Sequence, residues 1–286
     1  MFYRYVCYIY YMKIISIVTN NPTFIDLQFK SFQKYINIPY EYIVFNDGKD
    51  FPDVVNNDIP NKADIREKCA SLNIRCIDLD NDHHRVQTRP SNRHGDSLRV
   101  MLEFMKKNKG EYLIIDGDMF LIDHLNIDKY RNRPCACVIQ QREIVYMWPN
   151  LLYIDLCKID NIDELRLGCA VGGDTGSESS SWLMKQESQF PDVKTIRYSD
   201  EQLTSTKFYF IKHLWSCSWN KNEIPPNLRS HKNLLEYLET DERNENGNYF
   251  SEIYDNCFFH YRAGTWYMRN HPHMHTNQIE KLHTLL

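Results

Sequence analysis

In the first 115 residues, short β-branched runs alternate with stretches of helical spacing, and that alternation constrains the fold more than any other feature of the chain. Ile14-Ile15-Ser16-Ile17-Val18 reads as a strand that ends in the turn Thr19-Asn20-Asn21-Pro22. Phe24, Leu27, Phe29, Phe32 and Ile36 then recur near helical spacing. Tyr42-Ile43-Val44-Phe45 predicts a second strand stopping at Asn46-Asp47-Gly48, residues 62–72 a helix, and Cys76-Ile77-Asp78-Leu79 a third strand. From Asp96 to Lys109, Leu98, Met101, Leu102 and Met105 make one apolar stripe of a helix that Gly110 ends. Tyr112-Leu113-Ile114-Ile115 follows as a wholly apolar strand and opens onto Asp116-Gly117-Asp118. Strands interleaved with helices predict a mainly parallel α/β sheet, buried on both faces by flanking helices. Ligands bind beyond the carboxyl ends of such strands, which singles out Thr19, Asn20, Asn46, Asp47, Asp116 and Asp118.

The second half is less regular. Ala136 to Gln140 and Leu151 to Leu156 read as strands, and Gly168-Cys169-Ala170-Val171-Gly172-Gly173-Asp174-Thr175-Gly176 as a glycine-rich turn before a Ser-rich helix start. Residues 239–249, rich in Asn and Glu, read as a surface loop. No internal repeat and no long linker is found, so residues 13–286 are expected to form one domain. Residues 1–12, MFYRYVCYIYYM, would be an extension or an extra strand. Arg4 and Lys13 interrupt that segment, which is too short for a membrane span of about 20 apolar residues and lacks the clean apolar block of a signal peptide. Met12 is a candidate start in its own right, and no stable membrane insertion is expected.

Composition narrows the classes. With 42% apolar residues the chain is globular, and its formal charge of −4 gives no general electrostatic case for nucleic acid as partner. Nine cysteines, an odd number at irregular spacings, match no zinc pattern and read as reduced thiols. The only Asn-x-Thr, at Asn21, is spoiled by Pro22, and both facts point to a reducing, cytoplasmic setting.

Asp116-Gly117-Asp118 carries the chemistry. Two carboxylates one residue apart at the mouth of a buried strand can present oxygen ligands to a hard cation such as Mg²⁺ or Mn²⁺ and leave positions for phosphate oxygens. A bound metal neutralises the charge that develops on a departing nucleoside diphosphate. Gly117 lets backbone approach a ligand closely.

Leu113-Ile114-Ile115-Asp116-Gly117-Asp118-Met119-Phe120 resembles the Asp-x-Asp segment of GT-A glycosyltransferases, the nucleotide-diphospho-sugar transferase fold. The resemblance extends along most of the chain. Ile17-Val18-Thr19-Asn20 is similar to the first strand, whose end contacts the nucleoside, and Phe45-Asn46-Asp47-Gly48 to the second, where an acidic residue meets base or ribose. Pro90-Ser91-Asn92-Arg93-His94-Gly95-Asp96-Ser97-Leu98 resembles the segment before the metal strand, whose polar groups meet the diphosphate or sugar, so that Arg93, His94 and Ser97 are implied donor contacts. Trp148-Pro149-Asn150-Leu151-Leu152-Tyr153-Ile154-Asp155 is similar to the strand whose Asn contacts the transferred sugar. Phe258-Phe259-His260-Tyr261-Arg262-Ala263-Gly264-Thr265-Trp266 resembles the segment in which a His completes the metal site. Small enzymes of large DNA viruses, which build capsid glycans outside the secretory route, are the most similar in character.

The resemblance implies a Rossmann-like GT-A domain with a nucleotide-sugar half, residues 13–125, and an acceptor half, residues 126–286. It also implies a Mn²⁺- or Mg²⁺-dependent transfer from a nucleotide-sugar donor, UDP-linked by preference, to a glycan or glycoprotein acceptor, in the host cytoplasm if the chain is viral. Asp116, Asp118 and His260 would hold the metal; Thr19, Asn20, Asn46, Asp47, Arg93, His94, Ser97, Gly117 and Asn150 would hold the donor. Asp174 would face the acceptor as general base or as a hydrogen-bonding anchor.

Each residue also has a plainer reading. His260 among Phe258, Phe259 and Tyr261 would serve as a core histidine, Arg93 and His94 as loop residues, Asn46-Asp47-Gly48 as an ordinary turn, and Asp174 as a helix cap. The three histidines of His271-Pro272-His273-Met274-His275 are expected to be solvated. The chain has no P-loop, no Gly-x-Ser-x-Gly elbow and no Gly-x-Gly-x-x-Gly after its first strand, which argues against nucleotidases, α/β-hydrolases and dehydrogenases. A sugar-nucleotide nucleotidyltransferase is a further reading, but Thr19-Asn20-Asn21-Pro22 lacks its Gly-rich basic signature; a catalytically degenerate glycan-binding protein is another.

Overall fold

The computed structural model describes residues 11–52, 60–86 and 89–286. The expected amino-terminal extension falls outside them except for Tyr11 and Met12, and Met12 opens the first strand. In chain order the first half forms β1 (Met12–Val18), α1 (Pro22–Tyr35), β2 (Tyr40–Asn46), α2 (Lys62–Ser71), β3 (Arg75–Asp78), α3 (His83–Val86), α4 (Pro90–Lys107) and β4 (Glu111–Ile115). There follow β5 (Met119–Leu121), α5 (Asp128–Arg131), β6 (Cys135–Gln141), β7 (Val145–Asp155), α6 (Ser180–Gln186), α7 (Val193–Tyr198), β8 (Phe208–Phe210) and β9 (His213–Leu214). The chain closes with α8 (Lys232–Thr240), β10 (Glu252–Tyr254), β11 (Phe258–His260), α9 (Gly264–Asn270) and α10 (Pro272–Leu285).

Seven strands form one sheet in the order β3-β2-β1-β4-β7-β6-β8, in which only β7 runs against the others. This is the mainly parallel α/β sheet that the strand–helix alternation predicts. The pleat sends alternate side chains to opposite faces. Ile14, Val44, Leu113 and Ile115 pack with Ile25 and Phe32 of α1 and Ile65 of α2 on one face. Ile15, Ile17, Ile43, Phe45 and Ile114 meet Leu98, Met101, Leu102 and Met105 of α4 on the other. Because both faces are covered, β4 can be apolar throughout; its one charge, Glu111, accepts two hydrogen bonds from Arg131 at 2.6 and 2.8 Å.

Helix starts follow local chemistry. Asn21 caps α1 by accepting from Thr23 N at 3.1 Å, and Pro22 occupies the first turn, where its missing N–H costs nothing. Helix α4 begins at Pro90, six residues before the periodic stripe that starts at Asp96, because its first turn is polar and faces a cavity rather than the core.

A second, antiparallel sheet, β5-β11-β10-β9, packs on α1 and α10 through Phe24, Leu27, Phe120, Phe259, Tyr261 and Leu282. Its ladder pairs Phe259 with Phe120 and His260 with Met119, which carries His260 to the mouth of β4.

Two expectations are corrected here. Residues 239–249 are not simply a surface loop, for Asp241 and Arg243 are buried as an ion pair at 2.7 Å. Arg243 also donates to Tyr261 O at 2.8 Å and to Tyr237 Oη at 3.1 Å, so its buried guanidinium is satisfied by atoms that sequence cannot show to be near. In the tract 271–275, His271 and His273 are exposed but His275 is buried, bonded to Asn21 Nδ2 and Tyr261 Oη, each at 3.1 Å. Among the described residues no helix is long and apolar enough to cross a membrane.

Candidate metal centre and its cavity

Asp116 is the first residue past β4, and its backbone N–H donates to Asn150 O of β7 at 2.7 Å. Its Oδ2 accepts from Asn150 Nδ2 at 2.5 Å and its Oδ1 from Gly117 N at 2.8 Å. The chain then turns sharply at Gly117, where a Cβ would lie 2.9 Å from the Ile17 carbonyl oxygen, so only glycine fits there. Asp118 Oδ2 accepts from Gly264 N at 3.0 Å, and its Oδ1 lies 3.0 Å from His260 Nε2. His260 Nε2 is 3.6 Å from Asp116 Oδ2, and one ligand atom from each of the three residues lies within 4.8 Å of the others.

The outer contacts orient this trio. Glu252, opposite His260 in the β10–β11 ladder, places Oε2 2.8 Å from His260 Nδ1. The same carboxylate accepts from Tyr254 Oη at 2.8 Å and from Ser216 N at 3.1 Å. A carboxylate behind a ligating imidazole fixes its tautomer, leaving Nε2 as the ligand. His94 Nε2 lies 3.0 Å from Asn150 Oδ1, extending the chain Asp116–Asn150–His94 along the cavity.

Electrostatics in the absence of a cation follow from burial and neighbours. Burial and then the adjacent Asp118 charge raise Asp116 above its ordinary value. Burial acts the same way on Asp118, but the His260 charge and hydrogen bond outweigh it and lower that group. Burial alone would lower His260, yet Asp118 and Glu252 hold it well above its ordinary value. Two carboxylates and one imidazole with a supporting carboxylate suit a divalent cation, whose binding would displace the proton from His260.

The trio forms part of the wall of a cavity of about 400 Å³. Thr19, Asn20, Asp47, Arg93, His94, Gly117 and Asn150 line it together with Asp116, Asp118 and His260. Three expected residues do not. Asn46 donates to Lys62 O at 3.0 Å and to Asp78 Oδ1 at 2.8 Å, fastening the end of β2 to α2 and β3. Ser97 is fully buried and donates to Asp47 Oδ2 at 2.9 Å, behind the wall. Asp174 accepts from Arg142 Nη2 and from Thr175 N, both at 2.9 Å, and the Thr175 beside it lines the cavity instead.

The cavity also recruits residues beyond those expected to hold the donor or the metal. Lys49, His84, Ser91, Thr175, Thr265, Trp266 and Arg269 line it, and Glu252 stands behind the metal trio. Their assembly depends on cross-strand register and on loops, for which local spacing carries no signal.

No protein-family model and no curated protein matches the chain. Among solved structures it is similar to that of S. aureus TarS, with 14% identity and a TM-score of 0.38 over 61% of this chain and 33% of that one. The chain thus spans about a third of the length of TarS, a likeness too loose to argue activity from, and it adds nothing to the viral resemblance.

Proposed function

We propose that the chain is a metal-dependent glycosyltransferase acting on a nucleotide-diphosphate sugar, with residues 13–286 as its catalytic domain. The observation that carries this reading is the convergence of Asp116, Asp118 and His260 on the wall of a cavity at the carboxyl ends of the parallel strands. When bound there, a divalent cation supplies charge neutralisation for a departing diphosphate.

The chain's own residues fit the rest of the donor. The amino-terminal turn of α4, an 18-residue helix, brings Ser91, Arg93 and His94 to the cavity, and the positive end of the helix dipole favours phosphate there. Thr19 and Asn20 follow the carboxyl end of β1. Asn20 Oδ1 accepts from Thr265 Oγ1 at 2.7 Å, whereas its buried Nδ2 has no hydrogen-bond partner among the described residues. A carbonyl or hydroxyl of a nucleoside would satisfy it. Asn150, bonded to both Asp116 and His94, is placed to orient the sugar, and half-exposed Trp266 offers an aromatic face beside the cavity. The acceptor in this reading is a hydroxyl of a glycan or glycoprotein, and the setting cytoplasmic.

The test is calorimetry of UDP, GDP and CMP with and without Mn²⁺, alongside release of nucleoside diphosphate from a UDP-sugar. UDP is expected to bind only with Mn²⁺, more tightly than GDP or CMP, and to be released slowly from the sugar. If no nucleotide binds in Mn²⁺, the reading fails; tenfold tighter GDP binding overturns the choice of base.

A further inference from the structure

A second cluster of ligating atoms lies at the end of β2. Asp47 follows that strand, while His83 and His84 are the first residues of α3. His83 Nε2 lies 3.4 Å from Asp47 Oδ1 and His84 Nε2 2.9 Å from Asp47 Oδ2. One ligand atom from each of the three residues falls within 4.8 Å of the others. We propose that Asp47, His83 and His84 form a second divalent-metal site of zinc type, separate from the Asp116–Asp118–His260 centre.

Burial makes the arrangement costly as a purely protein contact. Asp47 is 1% exposed and His84 3%. Beyond these approaches of His83 and His84 to the carboxylate, neither ring nitrogen of His84 nor Asp47 Oδ1 meets hydrogen-bond geometry with any described residue. Buried polar atoms are ordinarily paired, and a cation among the three side chains would pair Asp47 Oδ1 and one ring nitrogen of His84. A cation among the three side chains can take a carboxylate oxygen and an imidazole lone pair at once.

The surroundings match those of a ligand shell. Ser97 Oγ donates to Asp47 Oδ2 at 2.9 Å and lies 3.4 Å from His83 Nε2. Such outer contacts set the orientation of a ligating carboxylate and the tautomer of a ligating imidazole. The His83 and His84 rings lie 4.3 Å apart and tilted by 34°, side by side against one carboxylate. Two imidazoles and one carboxylate make a softer donor set than two carboxylates and one imidazole. Zinc is therefore favoured here and Mn²⁺ or Mg²⁺ at Asp116 and Asp118. Asp47 and His84 also line the cavity, so the ion's remaining positions would be open to a ligand within it. The site would pin α3 to the end of β2. It stands or falls independently of sugar transfer.

The test measures zinc alone. In an Asp118→Ala background, which removes a ligand of the first centre, the protein is equilibrated with micromolar Zn²⁺, dialysed, and its metal content measured. One zinc per chain is expected to remain. Adding His83→Ala, at a partly exposed position, is expected to lower retention at least tenfold, as is His84→Gln. Co²⁺ in place of zinc should give a visible absorption band that both changes abolish. His273→Ala, in the exposed carboxy-terminal tract, should change neither readout. Circular dichroism confirms that each variant is folded. Failure of the Asp118→Ala chain to retain zinc overturns the proposal, and so does equal retention after both histidine changes.

Discussion

Glu252 and His260 face each other across two three-residue strands, with Glu252 Oε2 2.8 Å from His260 Nδ1. The contact directs the other ring nitrogen to Asp118, so Glu252 acts on a cation only through the imidazole. Glu252→Gln keeps the shape but exchanges a charged acceptor for a neutral amide. It is expected to weaken Mn²⁺ binding by about 10- to 100-fold, with nucleotide affinity in the absence of metal unchanged. Calorimetry of Mn²⁺ from pH 6 to 8 checks this; identical Mn²⁺ constants for both proteins would rule out the positioning role.

Asp118 is held by Gly264 N and His260 on one side and faces the cavity on the other. Asp118→Ala is expected to abolish Mn²⁺-dependent UDP binding and donor turnover while circular dichroism stays that of the parent. EDTA should do the same to the unchanged chain, and full turnover in EDTA would refute the metal mechanism.

Most of the core sheet was legible because β1, β2 and β4 carry short apolar runs bounded by turn residues, and covering both faces needs no alternation; β3, at the sheet edge, keeps only Cys76 and Ile77 between Arg75 and Asp78. The three-residue strands β5, β10 and β11 were not, since three residues show no period. His260 was reached only through a resemblance, and the role of Glu252 not at all, because the register that pairs them lies in the β10–β11 ladder. Asn46 illustrates a different limit of the sequence. It stands beside Asp47 at a strand end, where ligands gather, yet its amide serves Lys62 O and Asp78. Proximity to a strand end does not settle which side chain turns into the cavity.

Asp174 was the expected acceptor base, but its carboxylate is occupied by Arg142 and Thr175 N and does not line the cavity. Asp174→Asn is therefore expected to change transfer or donor hydrolysis less than about threefold, far below the 10²- to 10⁴-fold typical of a general base. Steady-state rates decide, and a hundredfold fall in kcat with unchanged UDP affinity would return the base role to Asp174.

The last prediction concerns acid stability. His213 in β9 is buried, and burial lowers it from 6.5 to about 4 despite the Ile211 carbonyl and Glu252, which favour its charge; Arg197 adds to the lowering. Its folded value lies below its unfolded value, so above about pH 6.5 neither state carries the proton and nothing is lost. As the pH falls from 6.5 towards 4, the unfolded chain takes up a proton that the folded chain refuses, and stability declines. Below about 4 both states are protonated and the decline from this residue ends. The gap from 6.5 to about 4 corresponds to at most about 3 to 4 kcal/mol, at about 1.4 kcal/mol per unit. His213→Phe removes the proton site while keeping an aromatic ring against Tyr254, on which His213 stacks at 5.6 Å. Urea unfolding at pH 7 and pH 4.5 should then show the parent losing about 2 kcal/mol more than the variant over that interval. Equal losses in the two proteins would mean that His213 is not what couples folding to acid in this range.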